Sequence, residues 1–163
     1  MTARPATRAD ADAIASIYNQ GIEDRIATFE TLLRDPADIR NWFSDIYPVM
    51  VVEVDRNVVA FAAASSYRPR ACYAGIAEVS VYVERSFRRR GAGRLALEEM
   101  IRVAERTGFW KLLSRVFTDN LASRALLRSL GFREVGIYEK HGCLEGVWRD
   151  VVIVERLIPA NLR

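Results

Sequence analysis

The clearest alternation of apolar and polar residues runs from Ile76 to Val83 (IAEVSVYV). Ala77, Val79, Val81 and Val83 point one way, and Ile76, Glu78, Ser80 and Tyr82 the other, which predicts a strand. The strand ends in a basic turn, Arg88-Arg89-Arg90-Gly91-Ala92-Gly93-Arg94. A helical rhythm follows from near Leu95, with Leu97, Met100, Ile101 and Ala104 at core spacing and Gly108 as its stop.

Shorter patterns flank this centre. Thr2 to Thr7 reads as a first strand, and Thr7 or Asp10 caps a helix with Ile14, Ile17, Tyr18 and Ile22 on its apolar face. Arg25 to Leu33 has no clean period and reads as a loop. Asp35-Pro36 starts a short helix with an apolar stripe of Ile39, Trp42, Phe43 and Ile46. Val49–Val54 and Val58–Ser65 are strands joined by the turn Asp55-Arg56-Asn57, after which Tyr67–Arg70 leaves the sheet as a loop. Lys111–Phe117 is a strand, Leu121–Leu130 a helix stopped by Gly131, and Arg133–Tyr138 and Val147–Leu157 the last strands. A long loop, Glu139–Gly146, joins those two. The order is a mixed α/β layout in a single domain over residues 1–163, with hairpins at both ends and helices covering a central sheet.

Composition narrows the function. Half of the residues are hydrophobic and charges of both signs are spread along the chain, which excludes disorder. The net charge is +3, and no basic run carries interleaved aromatics, so nucleic acid is not an expected partner. Cys72 and Cys143 stand far apart and the chain has one histidine, so no zinc set and no other metal is expected. Reduced thiols, the lack of a signal pattern and the lack of an apolar run of about 18 residues lead to the expectation of a cytoplasmic protein without membrane insertion.

A strand that ends in a glycine turn and opens a helix offers free backbone N–H groups at the positive end of the helix dipole. That is a phosphate cradle, with arginines as compensating charge. The dinucleotide fingerprint lacks its third glycine here, and the P-loop lacks its lysine. Arg-x-x-Gly-x-Gly after a Val-rich strand instead resembles the GNAT family of acyl-CoA-dependent N-acetyltransferases. Asn120 to Phe132 (NLASRALLRSLGF) resembles the second cofactor segment of that family. The resemblance runs nearly end to end. It implies a GNAT fold, a central, mostly antiparallel twisted sheet of about seven strands flanked by about four helices. It also implies acetyl-CoA as co-substrate.

In this resemblance Val81, Tyr82 and Val83 hold the pantetheine arm. Arg88, Arg89, Arg90, Gly91, Ala92, Gly93 and Arg94 take the diphosphate, and Asn120 and Ser123 add contacts that plain helix capping would also explain. Polarisation of the carbonyl falls to a backbone N–H near Tyr82 or Val83. A glutamate inside a strand of Val, Ile and Ala is costly unless something needs it, and this makes Glu78 the candidate general base. An ion pair with one of the many arginines is the alternative. Many family members place a tyrosine seven residues after the motif asparagine, where this chain has Leu127. Tyr138, Tyr73 and solvent remain open as the acid that protonates the leaving thiolate.

Further segments resemble the phosphinothricin acetyltransferase branch and its arsinothricin-acetylating relatives: Ile17-Tyr18-Asn19, Ala27 to Thr31, Tyr67-Arg68-Pro69-Arg70, Tyr73, Glu78 to Val83 and Trp148 to Val151. The spacing from His141-Gly142 to Trp148 is longer than in the phosphinothricin enzymes, which speaks against a catalytic His141. Arg68 and Arg70 flank Pro69 and suit bidentate capture of a carboxylate or phosphinate. Phe29, Glu30, Thr31 and Tyr73 complete the expected acceptor site for a small-molecule amine, in a homodimer like those of this branch. Two rivals stand beside this reading: a protein N-terminal or lysine acetyltransferase, and a non-catalytic acyl-CoA-binding module.

Overall fold

A computed structural model describes all 163 residues. Its strands are β1 (Thr2–Pro5), β2 (Val49–Val54), β3 (Asn57–Ser66), β4 (Ile76–Val83), β5 (Lys111–Phe117), β6 (Arg133–Leu144) and β7 (Val147–Leu157). Its α-helices are α1 (Ala11–Asp24), α2 (Pro36–Arg40), α3 (Ala92–Thr107) and α4 (Leu121–Ser129). The strands form one sheet in the order β1-β2-β3-β4-β5-β7-β6. Every neighbouring pair is antiparallel except β4 and β5, which run parallel.

The predicted alternation of β4 divides the molecule. Ala77, Val79, Val81 and Val83 face α3 and α4, where Leu97, Met100 and Leu127 complete the main core. The opposite face carries two separate apolar clusters. One sits under α1 and α2, where Ile14, Ile22 and Ile39 pack on Val51 and Phe61. The other joins Ile76 of β4 to Leu113 and Phe117 of β5 and Val151 and Ile153 of β7. Between these clusters the same face presents Glu78, Ser80 and Arg115, a polar strip on an otherwise apolar sheet.

Local chemistry sets most element ends. Asp35 accepts the N–H groups of Ala37 (2.7 Å) and Asp38 (3.3 Å), and Pro36 needs no partner at the first helical position. α3 begins at Ala92, three residues before the Leu95 expected from the rhythm. Gly91 takes the left-handed conformation (φ 88°) that starts it, and Ala92 is small enough to bury fully.

Two further elements differ from the sequence pattern. The stripe assigned to the second helix does not extend to Ile46: α2 ends at Arg40, Trp42 and Phe43 pack on the α1 cluster from beyond it, and Ile46 is 64% exposed. The long loop Glu139–Gly146 is instead mostly strand. β6 continues to Leu144 and returns through a tight turn at Glu145 and Gly146, both with positive φ. A bulge between Tyr138 and Gly142 absorbs the mismatch, pinned by Asp150, which accepts the Lys140 N–H at 2.7 Å. Polar residues on an edge strand hid this element, since such a strand needs no second apolar face.

Candidate active site

The parallel ladder between β4 and β5 stops early: Ile76, Ala77 and Glu78 pair with Lys111, Leu112 and Leu113, and no register continues beyond. The strands then splay. Glu84 donates its N–H to Val59 of β3 at 2.8 Å, so by alternation the backbones of Val81 and Val83 turn toward the gap. A groove of about 440 Å³ opens there. It is lined by Val81, Tyr82 and Val83, by Arg88, Arg89, Gly91, Gly93 and Arg94, and by Asn120 and Ser123 across from them.

At one end of the groove stands the N-terminus of α3. Its first backbone bond runs from Leu95 N–H to Gly91 O (3.0 Å), leaving the amides of Ala92, Gly93 and Arg94 without an intrahelical acceptor. Arg89 and Gly91 are left-handed (φ 62° and 88°) with Arg90 between them on the ordinary side, the backbone form of an anion nest. A Cβ on Gly93 would sit 3.1 Å from Val83 Cγ2, so glycine keeps helix and strand close. Free amides, left-handed turns and cationic side chains fit a phosphate-bearing ligand with an extended arm lying along β4.

The arginines divide in their partners. Arg88 pairs with Asp24 at the end of α1 (2.6 Å), beside Arg85, and the two guanidiniums hold the Asp24 carboxyl below its usual range against the opposing pull of burial. Arg94 pairs with Glu98 (2.9 Å) and Ser129 (3.0 Å). The Arg90 guanidinium lies over the Phe87 ring at 5.3 Å, away from the groove lining, while Arg89 lines the groove without an ion-pair partner. Asn120 caps α4 by accepting Ser123 N–H (3.2 Å) and also donates to Ile26 O (3.2 Å), so it both caps and lines the groove.

Through the gap the groove meets a narrower cleft lined by Val79, Ser80, Tyr82, Arg115 and Leu127. Leu127, at the position where many family members carry tyrosine, is buried there. Tyr82 fits because α1 has Gly21: a Cβ at that position would lie 2.6 Å from Tyr82 Cδ1. Burial, reinforced by neighbouring Tyr18, pushes the Tyr82 phenol above its ordinary range, and burial does the same to Tyr18. Both phenols stay neutral hydrogen-bonding groups at working pH.

On the open face Glu78 is ion-paired. Arg115 Nη2 donates to Oε1 at 2.9 Å and to Oε2 at 2.7 Å. This is the alternative that the strand pattern left open, and the Glu78 side chain keeps 21% of its surface exposed. Sequence reasoning missed Arg115. The signal was there, an arginine on the same strand face as Leu113 and Phe117.

The residues expected at the acceptor site lie outside the lining of both the groove and the cleft. Phe29 packs edge-on against Phe117 (4.8 Å between centroids) and covers Gly142, whose added Cβ would meet it at 2.5 Å. The segment carrying it is tied down by Arg25–Glu145 (2.8 Å) and by Arg149, which bonds Arg25 O at 3.3 Å. Glu30 pairs with Arg34 (3.0 Å) and Thr31 is exposed. On the other side Tyr67 and Tyr73 meet edge-on (5.6 Å), the Arg68 guanidinium lies over Tyr67 (5.2 Å), and Arg70 is exposed beside them.

The chain belongs to the acetyltransferase (GNAT) family, whose model matches residues 14–132. It is an acetyltransferase by descent as well as by fold. It is 33% identical to a ribosomal-protein-alanine N-acetyltransferase of Brucella melitensis over 97% of this chain and all of that one, with a TM-score of 0.93. A phosphinothricin acetyltransferase of Sinorhizobium meliloti, solved in complex with AcCoA, is 30% identical over 96% of this chain and 88% of that one (TM-score 0.90). An L-methionine sulfoximine/L-methionine sulfone acetyltransferase of Salmonella typhimurium is 30% identical, covering 95% of this chain and 93% of the relative.

Proposed function

We propose that the protein transfers an acetyl group from acetyl-CoA to the α-amine of a small amino acid or amino-acid analogue of the phosphinothricin, arsinothricin or methionine sulfoximine type. The observation that carries this reading is the β4–β5 gap, which joins a groove suited to a diphosphate and its arm to a cleft lined by Arg115, the ion-pair partner of Glu78. The Salmonella and Sinorhizobium relatives, whose names specify such acceptors, support it.

The amides at the start of α3, with Arg88, Arg89 and Arg94, hold the diphosphate, and the backbones of Val81 and Val83 pair with the pantetheine arm. Asn120 and Ser123 flank it. When bound, acetyl-CoA supplies a thioester: a C–N bond forms as C–S breaks, and the acceptor's ammonium nitrogen gives up two protons in all, one before attack and one after. Of these, one is matched by the proton that reaches the sulfur, while the other goes to solvent. Glu78 receives the amine's proton, directly or through a water. A free N–H of Val81 or Val83 stabilises the carbonyl oxygen as charge grows on it. Arg68 and Arg70 receive the distal acidic group of the acceptor, with Phe29, Glu30, Thr31 and Tyr73 shaping the cleft. The same reading makes the protein a cytoplasmic homodimer, and exposed Ile137 and Tyr138 on β6 and Trp148 on β7 support the dimer. No helix is long and apolar enough to cross a membrane.

Release of free thiol from acetyl-CoA in the presence of candidate amines tests the proposal. Turnover with phosphinothricin or methionine sulfoximine is the expected result. The likeness to the Brucella protein favours a second reading, a protein N-terminal acceptor. Turnover with peptides alone would select it, and CoA binding without turnover of any amine would reduce the chain to a binding module.

A further inference from the structure

Acetyl transfer as proposed leaves one charge on the cleft floor without a task. Arg115 stands on β5 with its side chain half exposed, on the face that Leu113 and Phe117 make apolar. Only its Nη2 is engaged, on the two oxygens of Glu78. Nη1 and Nε make no hydrogen bond within the protein, so donors remain for a second anion. An exposed surface pair would be ordinary, but here Arg115 lines the cleft and Glu78 holds the last paired position of the β4–β5 ladder, where the gap begins.

We propose that Arg115 receives the α-carboxylate of the acceptor. The inference rests on the amino-acid acetyltransferase reading and refines it. An α-amino acid carries its carboxylate one carbon from its amine. An amine placed at Glu78 therefore brings the carboxylate within reach of the guanidinium already bonded to Glu78. Glu78 and Arg115 are the charge complement of a zwitterion: ammonium beside carboxylate, carboxylate beside guanidinium, each charge next to its opposite. Arg68 and Arg70 are then left for the distal acid. The arrangement selects free α-amino acids against simple amines and against peptide N-termini, because a peptide's first residue has no α-carboxylate.

The test compares L-phosphinothricin with its α-carboxamide as acceptors at saturating acetyl-CoA, in the unaltered protein, Arg115→Ala and Arg115→Lys. The unaltered protein should prefer the acid over the amide by about 10- to 100-fold in kcat/KM, the usual value of a charge-assisted contact. Arg115→Ala should erase that preference through the acid's KM while leaving the KM for acetyl-CoA in place. Arg115→Lys, which keeps the charge without the fork, should fall between, and its ratio decides if the alanine variant does not fold. An acid-to-amide ratio unchanged in the variants overturns this assignment alone. Failure of the unaltered protein to acetylate either compound overturns the underlying reading with it.

Discussion

The two sides of β4 build their sites from different materials. On the α3 side the groove draws on backbone: free amides at a helix start, left-handed turns and a strand edge that β5 does not pair, all within residues 81–94, faced by Asn120 and Ser123 and by the end of α1. On the open face the polar strip is made of side chains, Glu78 and Ser80 of β4 and Arg115 of β5, and the residues proposed for the acceptor come from further segments around Phe29 and Arg68. A backbone site is specified by where a chain turns and is insensitive to most substitutions. A side-chain site depends on register and packing over long sequence distances, and a single residue can change what it accepts. The arrangement matches the chemistry, since the donor is common to the family and the acceptor is not.

Substitutions that strike one side only should sharpen this contrast. The largest effect is expected from Glu78→Gln: a fall in kcat of about 10²–10³-fold with the KM for acetyl-CoA nearly unchanged. A pH–rate profile identical to that of the unaltered protein would remove Glu78 from the chemistry. Arg70→Ala should raise the acceptor's KM by about 10- to 50-fold without a matching rise for acetyl-CoA, and equal rises would break the division between the two sides. Arg68→Ala should do less, because its guanidinium already rests on Tyr67.

Gly91→Ala reverses the pattern. A Cβ there meets nothing within 4 Å, so only the left-handed backbone resists it. Strain of about 1 kcal/mol should raise the KM for acetyl-CoA about fivefold and spare the acceptor. The smallest effect on activity belongs to Arg4→Met, remote from both sites. Arg4 bonds Asp10 twice at 2.8 Å, and that hydrogen-bonded pairing is the main reason the Asp10 carboxyl lies below its usual range. Stability from a depressed carboxyl is present above the unfolded value near 4 and disappears as pH falls through the folded one. The variant should therefore lose about 1–2 kcal/mol at pH 7, a loss that shrinks toward pH 2 in denaturant titrations while kinetic constants hold.

The contrast also explains what could be read in the chain beforehand. Ile76 to Arg94 carried its structure in local rules, an alternation of period two and then a glycine turn, so strand, turn and helix were legible together. The start of α3 was missed by three residues because Ala92 and Gly93 are weak rhythm markers even when buried. The end of β6 has the sequence pattern of a loop because an exposed edge strand carries no apolar alternation, and Lys140 takes a left-handed bulge that no local motif announces. Arg115 escaped because its importance lies in facing Glu78, 37 positions away in sequence.

Local pattern alone thus settled the class of fold and the strand–turn–helix at its centre. These features depend on steric and hydrogen-bonding rules that act over a few neighbouring residues. Tertiary contacts decided the rest: that β4 and β5 part after Glu78, that Gly21 admits the ring of Tyr82, that Phe29 folds over Gly142, and that Arg115 closes on Glu78. Each joins segments distant in sequence, so its free energy exists only once the sheet has brought them together.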